Sequence, residues 1–217
     1  MKNRFDEQMD ILNAQMIEMG AMIETTIEGA CDALQTADLP KARSIIEADS
    51  AVDRKEREIE SLCLRMLLTR QPVAHDLRVV SSALKMITDM ERIGDHAADI
   101  SEIVTMMDYS AALQPEHFGA MASAAIDMVH RAIDAYVRQD VELARNVITS
   151  DDVVDDLFCD VKRELIELLG ADATRGSEAL DLLMIAKYFE RIGDNATNIA
   201  EWVEYSVTGL YKGDVLQ

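Results

Sequence analysis

Proline and glycine are scarce in this 217-residue chain, three and nine respectively, so few residues interrupt a helix. Aromatics make up only 5%. The cysteines are Cys31, Cys63 and Cys159, an odd count with no Cys-x-x-Cys pair, which argues against a thiolate metal site. Each has apolar neighbours at helical spacing, so buried free thiols in a reducing compartment are expected. Positive charge is short: 21 Lys and Arg face 41 Asp and Glu, a net charge of −20. With no dense run of Lys or Arg, nucleic acid is excluded as a partner and acidic membranes are disfavoured. No apolar run approaches the ~18–20 residues that span a bilayer. The N-terminal MKNRFDEQMD has no apolar signal-peptide core. A soluble, cytoplasmic protein without membrane insertion is expected, and no strand signal occurs.

What remains is 49% apolar and dominated by Ala, Leu, Ile, Met, Glu and Asp, a composition that favours helix and suffices for a sizeable core. It is also internally repeated. ERIGDHAADISE at 91–102 and ERIGDNATNIAE at 190–201 share eight of twelve residues at an offset of 99. Upstream, Asp32, Ala42, Arg43, Asp49, Val52 and Asp53 match Asp134, Ala144, Arg145, Asp151, Val154 and Asp155 at an offset of 102. An interhelical loop three residues shorter in the second copy would reconcile the offsets. The chain reads as two tandem units, about 1–110 and 111–217.

Apolar residues at Leu12, Met16, Met19, Ile23, Ile27, Ala30 and Leu34 recur every three or four positions and predict a helix over about 5–36. Asp38 reads as an N-cap and Pro40 as a first-turn residue of a second helix running to about 68. A third runs from about 73–76 to 107. The second unit repeats the plan with helices over about 118–138, 140–169 and 177–208, a loop at Gly170–Gly176 and frayed residues after Gly209. The predicted class is all-α: two tandem antiparallel three-helix bundles.

The chemistry lies in acidic residues set four apart along the helices. Asp49/Asp53 and Glu91/Asp95/Asp99 recur as Asp151/Asp155 and Glu190/Asp194. Four-apart side chains share a helix face, and like charges there repel. These carboxylates border the apolar stripe instead of lying opposite it. Neighbouring helices would bring the acids face to face, where they need protons, basic partners or a cation. Oxygen-only ligands suit Mg²⁺, Mn²⁺ or Ca²⁺, and iron is also held by carboxylates. The competing account is a salt-bridge network with Arg57, Lys85, Arg92 and Arg191, which would make the protein a metal-free helical adaptor. The mid-helix glycines Gly94 and Gly193 cost about 1 kcal/mol each against alanine and tilt the balance slightly toward a metal. The histidines, His75, His96, His117 and His130, form no four-apart pair and are expected on the surface. A di-iron carboxylate enzyme needs Glu-x-x-His motifs, and none is present. No nucleophile–base pair stands out either, so the chain reads as a non-enzyme. No Gly-rich loop or arginine cluster offers a phosphate cradle.

The two ERIGD segments, the run Gln71-Pro72-Val73-Ala74-His75-Asp76-Leu77-Arg78 and ERIGDNATNIAE together resemble the PhoU family along essentially the whole chain. That resemblance implies a cytoplasmic, often homodimeric regulator of phosphate transport and phosphate homeostasis. Its partners would be the ATPase side of a phosphate ABC transporter and a sensor histidine kinase, with negative regulation of starvation signalling. It further implies Fe, Mn, Mg or Zn bound by helix-borne E/D-x-x-x-D motifs. Matched by position, these are Asp49, Asp53, Glu91, Asp95 and Asp99, then Asp151, Asp155, Glu190 and Asp194. Asn198 stands in the place of Asp99, and Asn195 stands where the family commonly has His.

Overall fold

The computed structural model describes residues 4–69, 74–107, 115–212 and 214–215. Six long helices account for nearly all of them: α1 (Arg4–Thr36), α2 (Leu39–Thr69), α3 (Ala74–Met106), α4 (Phe118–Arg138), α5 (Val141–Ala171) and α6 (Gly176–Thr208). The fold is all-α, as the periodicity requires. The stripe Leu12, Met16, Met19, Ile23, Ile27, Ala30 and Leu34 is buried without exception. Leu77 and Leu180, near the starts of α3 and α6, are exposed.

The repeat is visible in how the helices stop and start. Ala37 and Gln139, 102 residues apart, both take the left-handed backbone conformation that closes α1 and α4. The next residue caps the following helix in each half. Asp38 Oδ1 accepts from the Lys41 amide at 3.0 Å, and Asp140 Oδ1 accepts from the Leu143 amide at 3.0 Å. A side-chain oxygen there satisfies an N–H that the first helical turn leaves without a partner.

The three residues by which the offset changes fall between the end of α5 and the start of α6. The stretches between α2 and α3 and between α5 and α6 are equal in length, 70–73 and 172–175. Glu91 lies 17 residues beyond Ala74 and Glu190 14 beyond Gly176, because Ala173–Arg175, which match the first three residues of α3 at the offset of 99, form a 3-10 turn ahead of α6. α5 also runs through Gly170 to Ala171, and a single 3-10 turn at Ala173–Arg175 precedes α6, so the expected loop is shorter than its glycines implied. Gln71, Pro72, Val73 and Gln114 lie outside the described residues, as does the expected boundary near residue 110.

Within each half the three helices pack on one another, and the halves join along α3 and α6 and along α1 and α4. α3 packs against α6 as extensively as against α2. One continuous hydrophobic core results, drawing on all six helices. At the α1–α4 seam, a Cβ added to Gly20 would come within 2.8 Å of Ile133 Cγ2, so the close approach of the halves excludes a side chain there.

Where fraying was expected after α6, the described residues form a short hairpin. Leu210–Tyr211 (β1) pairs antiparallel with Asp214–Val215 (β2). Tyr211 stacks on Trp202 with ring centroids 4.3 Å apart, and Lys212 Nζ lies 3.0 Å from Glu201 Oε2. Two-residue strands are too short to show periodicity, and contacts back to α6 hold them.

Candidate functional site

α2 and α3 bring their acidic faces together. Asp49 and Asp53 of α2 and Asp95 of α3 each offer an oxygen, and the three oxygens lie within 4.8 Å of one another. No other group of three His, Cys, Asp or Glu ligand atoms reaches that spacing among the described residues. The helices approach closely because Gly94 sits opposite Val52: a Cβ on Gly94 would lie 3.2 Å from Val52 Cγ1. Close helix packing therefore explains this glycine directly.

The carboxyls oppose one another's ionisation. Burial, then Asp95, Asp53 and Asp99, pushes Asp49 up to about 6. Burial, then Asp95, Glu56, Asp53 and Asp49, pushes Glu91 up to about 7. Asp95 is raised by burial and by Asp53 and Asp99. Glu91 and Asp99 flank the three-carboxylate centre, one helical turn to either side of Asp95. Glu56, three residues after Asp53 on the same helix, joins this electrostatic group and is itself raised. Glu56 is not among the acids singled out from the sequence, although its three-residue spacing from Asp53 puts it on the same side of α2.

Compensation from basic groups is sparse here. Arg57 lies 3.1 Å from Asp53 with its own side chain 68% exposed, a pairing worth at most about 1 kcal/mol. The other three cations suggested as neutralisers turn elsewhere. Arg92 lies 3.5 Å from Asp89, Lys85 acts on the same Asp89, and Arg191 sits over the Tyr188 ring. Asp49 Oδ1 is buried with no hydrogen-bond donor in reach. An all-oxygen donor set with an unpartnered buried oxygen fits a hard cation. It fits zinc less well, since no histidine or cysteine joins the group.

The second half assembles the equivalent residues differently. Burial, then Glu190 and Asp151, pushes Asp194 up to about 6, while Lys187 opposes the rise. Asp151 is raised by burial, Asp155 and Glu190. Lys187 ion-pairs with Glu190, leaving Glu190 Oε2 without a donor. The matching position in the first half is Thr88, so only the second cluster carries a lysine of its own. Gly193 is also less crowded than Gly94, with Val154 Cγ1 at 3.5 Å from an added Cβ. Asn198 does not face this cluster. Its amide donates across the seam to Asp89 Oδ1 at 3.3 Å, because α6 turns that position toward α3.

Two further expectations are corrected. His96 is not a surface residue: its side chain is 16% exposed, its ring lies 5.4 Å from Tyr188, and burial lowers its pKa. Of the cysteines only Cys63 is fully buried, with its thiol pushed up to about 12. Cys31 is half-buried, and Cys159 is exposed at the outward position that Arg57 holds in the first half.

Comparison with known proteins covers both halves. The PhoU domain model matches residues 16–104 and 118–203. The phosphate-specific transport system accessory protein PhoU homolog of Clostridium acetobutylicum is 32% identical, over 94% of this chain and 94% of that protein. The phosphate-specific transport system accessory protein PhoU of Escherichia coli K12 is 32% identical, over 95% of this chain and 86% of its own. The crystal structure of PhoU from Pseudomonas aeruginosa superposes with a TM-score of 0.90 at 32% identity, covering 95% of this chain and all of that one. That of the phosphate transport system regulatory protein PhoU from Streptococcus pneumoniae gives 0.87 at 26%, covering 99% and all respectively. These relatives are named as accessory or regulatory proteins, not enzymes, and with two tandem PhoU domains in one helical molecule this chain belongs to the PhoU family.

Proposed function

We propose that this chain is the regulatory accessory protein of a phosphate ABC transporter. In this reading it acts in the cytoplasm, as a homodimer, between the transporter's ATPase subunit and a sensor histidine kinase, and it restrains uptake and starvation signalling when phosphate is plentiful. The observation that carries the reading is the family match across both halves, together with relatives named for phosphate transport. No helix among the described residues is long and apolar enough to cross a membrane, so attachment to a transporter would be through protein contacts.

The acidic centre of the first half is the proposed cation site. Asp49, Asp53 and Asp95 would hold the ion, with Glu91, Asp99 and Glu56 around them. A bound divalent cation or iron would supply positive charge that lets these carboxylates ionise together. The chain's own contribution is to hold carboxylates from α2 and α3 at close range with little basic compensation. Joining the two helices would make their spacing dependent on the ion. In the second half Asp151, Asp155, Glu190 and Asp194 already meet Lys187, which supports a weaker site or a charge network there.

Two experiments test the reading. In a bacterial host lacking its own accessory protein, this chain should restore repression of a phosphate-starvation reporter in rich phosphate; a reporter that stays fully on would reject the regulatory role. Elemental analysis of protein purified without chelator or metal resin should find Mg, Mn or Fe, and less of it after Glu91, Asp95, Glu190 and Asp194 are changed to Ala. Equal metal in both proteins, or none in either, would reject the cation site.

A further inference from the structure

α2 turns a row of arginines toward solvent. Arg54, Arg57, Ser61 and Arg65 fall within an arc of about 80° on the helix. With Gln15 of α1 and Glu58 they line an open cleft of about 460 Å³. Arg54 donates to Ser50 Oγ at 3.3 Å and Arg57 to Asp53 at 3.1 Å. Both are exposed contacts within one helix, weak enough to exchange for an external carboxylate. Leu64 lies beside Arg65 and Leu68 continues the same face beyond it; they are 47% and 86% exposed. From Arg54 to Leu68 the row runs about 21 Å along the helix, too long for one small anion.

This face exists once in a repeated molecule. The positions 102 residues later are Asp156, Cys159, Arg163 and Glu167, so two of the three arginines are replaced by acids and the third by a neutral residue. In a chain of net charge −20 the α2 row is thus a local exception. An acidic partner would be repelled from most of the surface and attracted here. Exposed leucines beside the arginines add an apolar component.

We infer that the Arg54–Arg57–Arg65 face of α2, with Leu64 and Leu68, is a docking surface for an acidic amphipathic segment of another protein. The inference stands on the basic row, the exposed leucines and the broken symmetry, and does not depend on the cation site.

The test uses the full chain and a fluorescein-labelled helical peptide about 15 residues long, matching the row, with glutamates at the arginine spacing and two leucines four apart. Fluorescence anisotropy should show saturable binding that weakens with salt and weakens roughly tenfold in the R54A/R57A/R65A variant. The Leu64→Ser/Leu68→Ser variant should also bind more weakly, and a lysine-for-glutamate peptide should not bind. Circular dichroism checks that both variants keep the native helix content, and the leucine pair carries the test if the arginine variant does not fold. Absence of saturable binding at low salt, or equal binding by both variants, overturns the inference. So does arginine-dependent binding of inorganic phosphate without binding of the peptide, which would make the cleft a small-anion site. Loss of self-association on changing the arginines, seen by sedimentation, overturns it in favour of a second copy of this chain.

Discussion

Asp49 and Glu91 show what a carboxylate costs at the edge of a core. Both are raised, Asp49 to about 6 and Glu91 to about 7, by burial first and by neighbouring acids second. A carboxyl whose folded pKa lies above its unfolded value takes up protons on folding. The stability it lends is present below the unfolded pKa, near 4, and is lost as pH rises through 6 and 7. Urea denaturation in the presence of chelator should therefore show stability falling between about pH 4 and 7. Asp49→Asn or Glu91→Gln should flatten that fall and stabilise the chelated protein at pH 8, while weakening any cation binding measured by calorimetry. A profile unchanged by both substitutions would mean that the acids are already compensated. The same scale explains the histidine result: Tyr188, from the other half, lies against His96, a contact that spacing along one helix does not announce.

Along a helix, two equivalent glycines behave differently because their neighbours do. Gly94 faces the buried, stiff Val52, 3.2 Å from where a Cβ would be. Gly193 meets Val154 at 3.5 Å, an ordinary contact. Gly193→Ala should gain up to about 1 kcal/mol of helix stability, read from the denaturation midpoint. Gly94→Ala should gain less or lose, and Val52→Ala in the same chain should relieve the difference. Equal gains at both positions would show that α2 and α3 can separate freely. Legibility has its limit here. The repeat, the cap Asp38 and the acidic pairs could all be read from residue order, since each rests on the order of residues along one chain. The direction of Asn198 could not, because it depends on which face α6 turns to α3.

Across the molecule the two halves share one core, so they should not unfold separately. Ile23 of α1 is fully buried, and Trp202, the single tryptophan, lies in the other half. Ile23→Ala should cost about 2–5 kcal/mol. The loss should appear equally in Trp202 fluorescence and in circular dichroism, as one transition. If the tryptophan transition stayed in place while helix signal was lost earlier, the halves would be independent. The seam also buries Asp89, 6% exposed and raised by burial even though Arg92, Asn198 and Lys85 favour its charge. Asp89→Leu should lower the same midpoint by leaving the Asn198 amide without this acceptor.

Residue order alone determined the all-α class, the tandem repeat, the helix faces and the positions of the acidic pairs. These follow from periods of three to four residues and from capping chemistry, both local along the chain. Tertiary structure decided which acids converge, because Asp49, Asp53 and Asp95 meet only through the close approach of α2 and α3. It chose among the partners that spacing offers each cation: Arg92 pairs with Asp89 and Lys187 with Glu190, each three residues away on its own helix, whereas Lys212 reaches back to Glu201. It also decided that six helices share one core, because the faces joining α3 to α6 and α1 to α4 carry the same apolar pattern as the faces buried within each half.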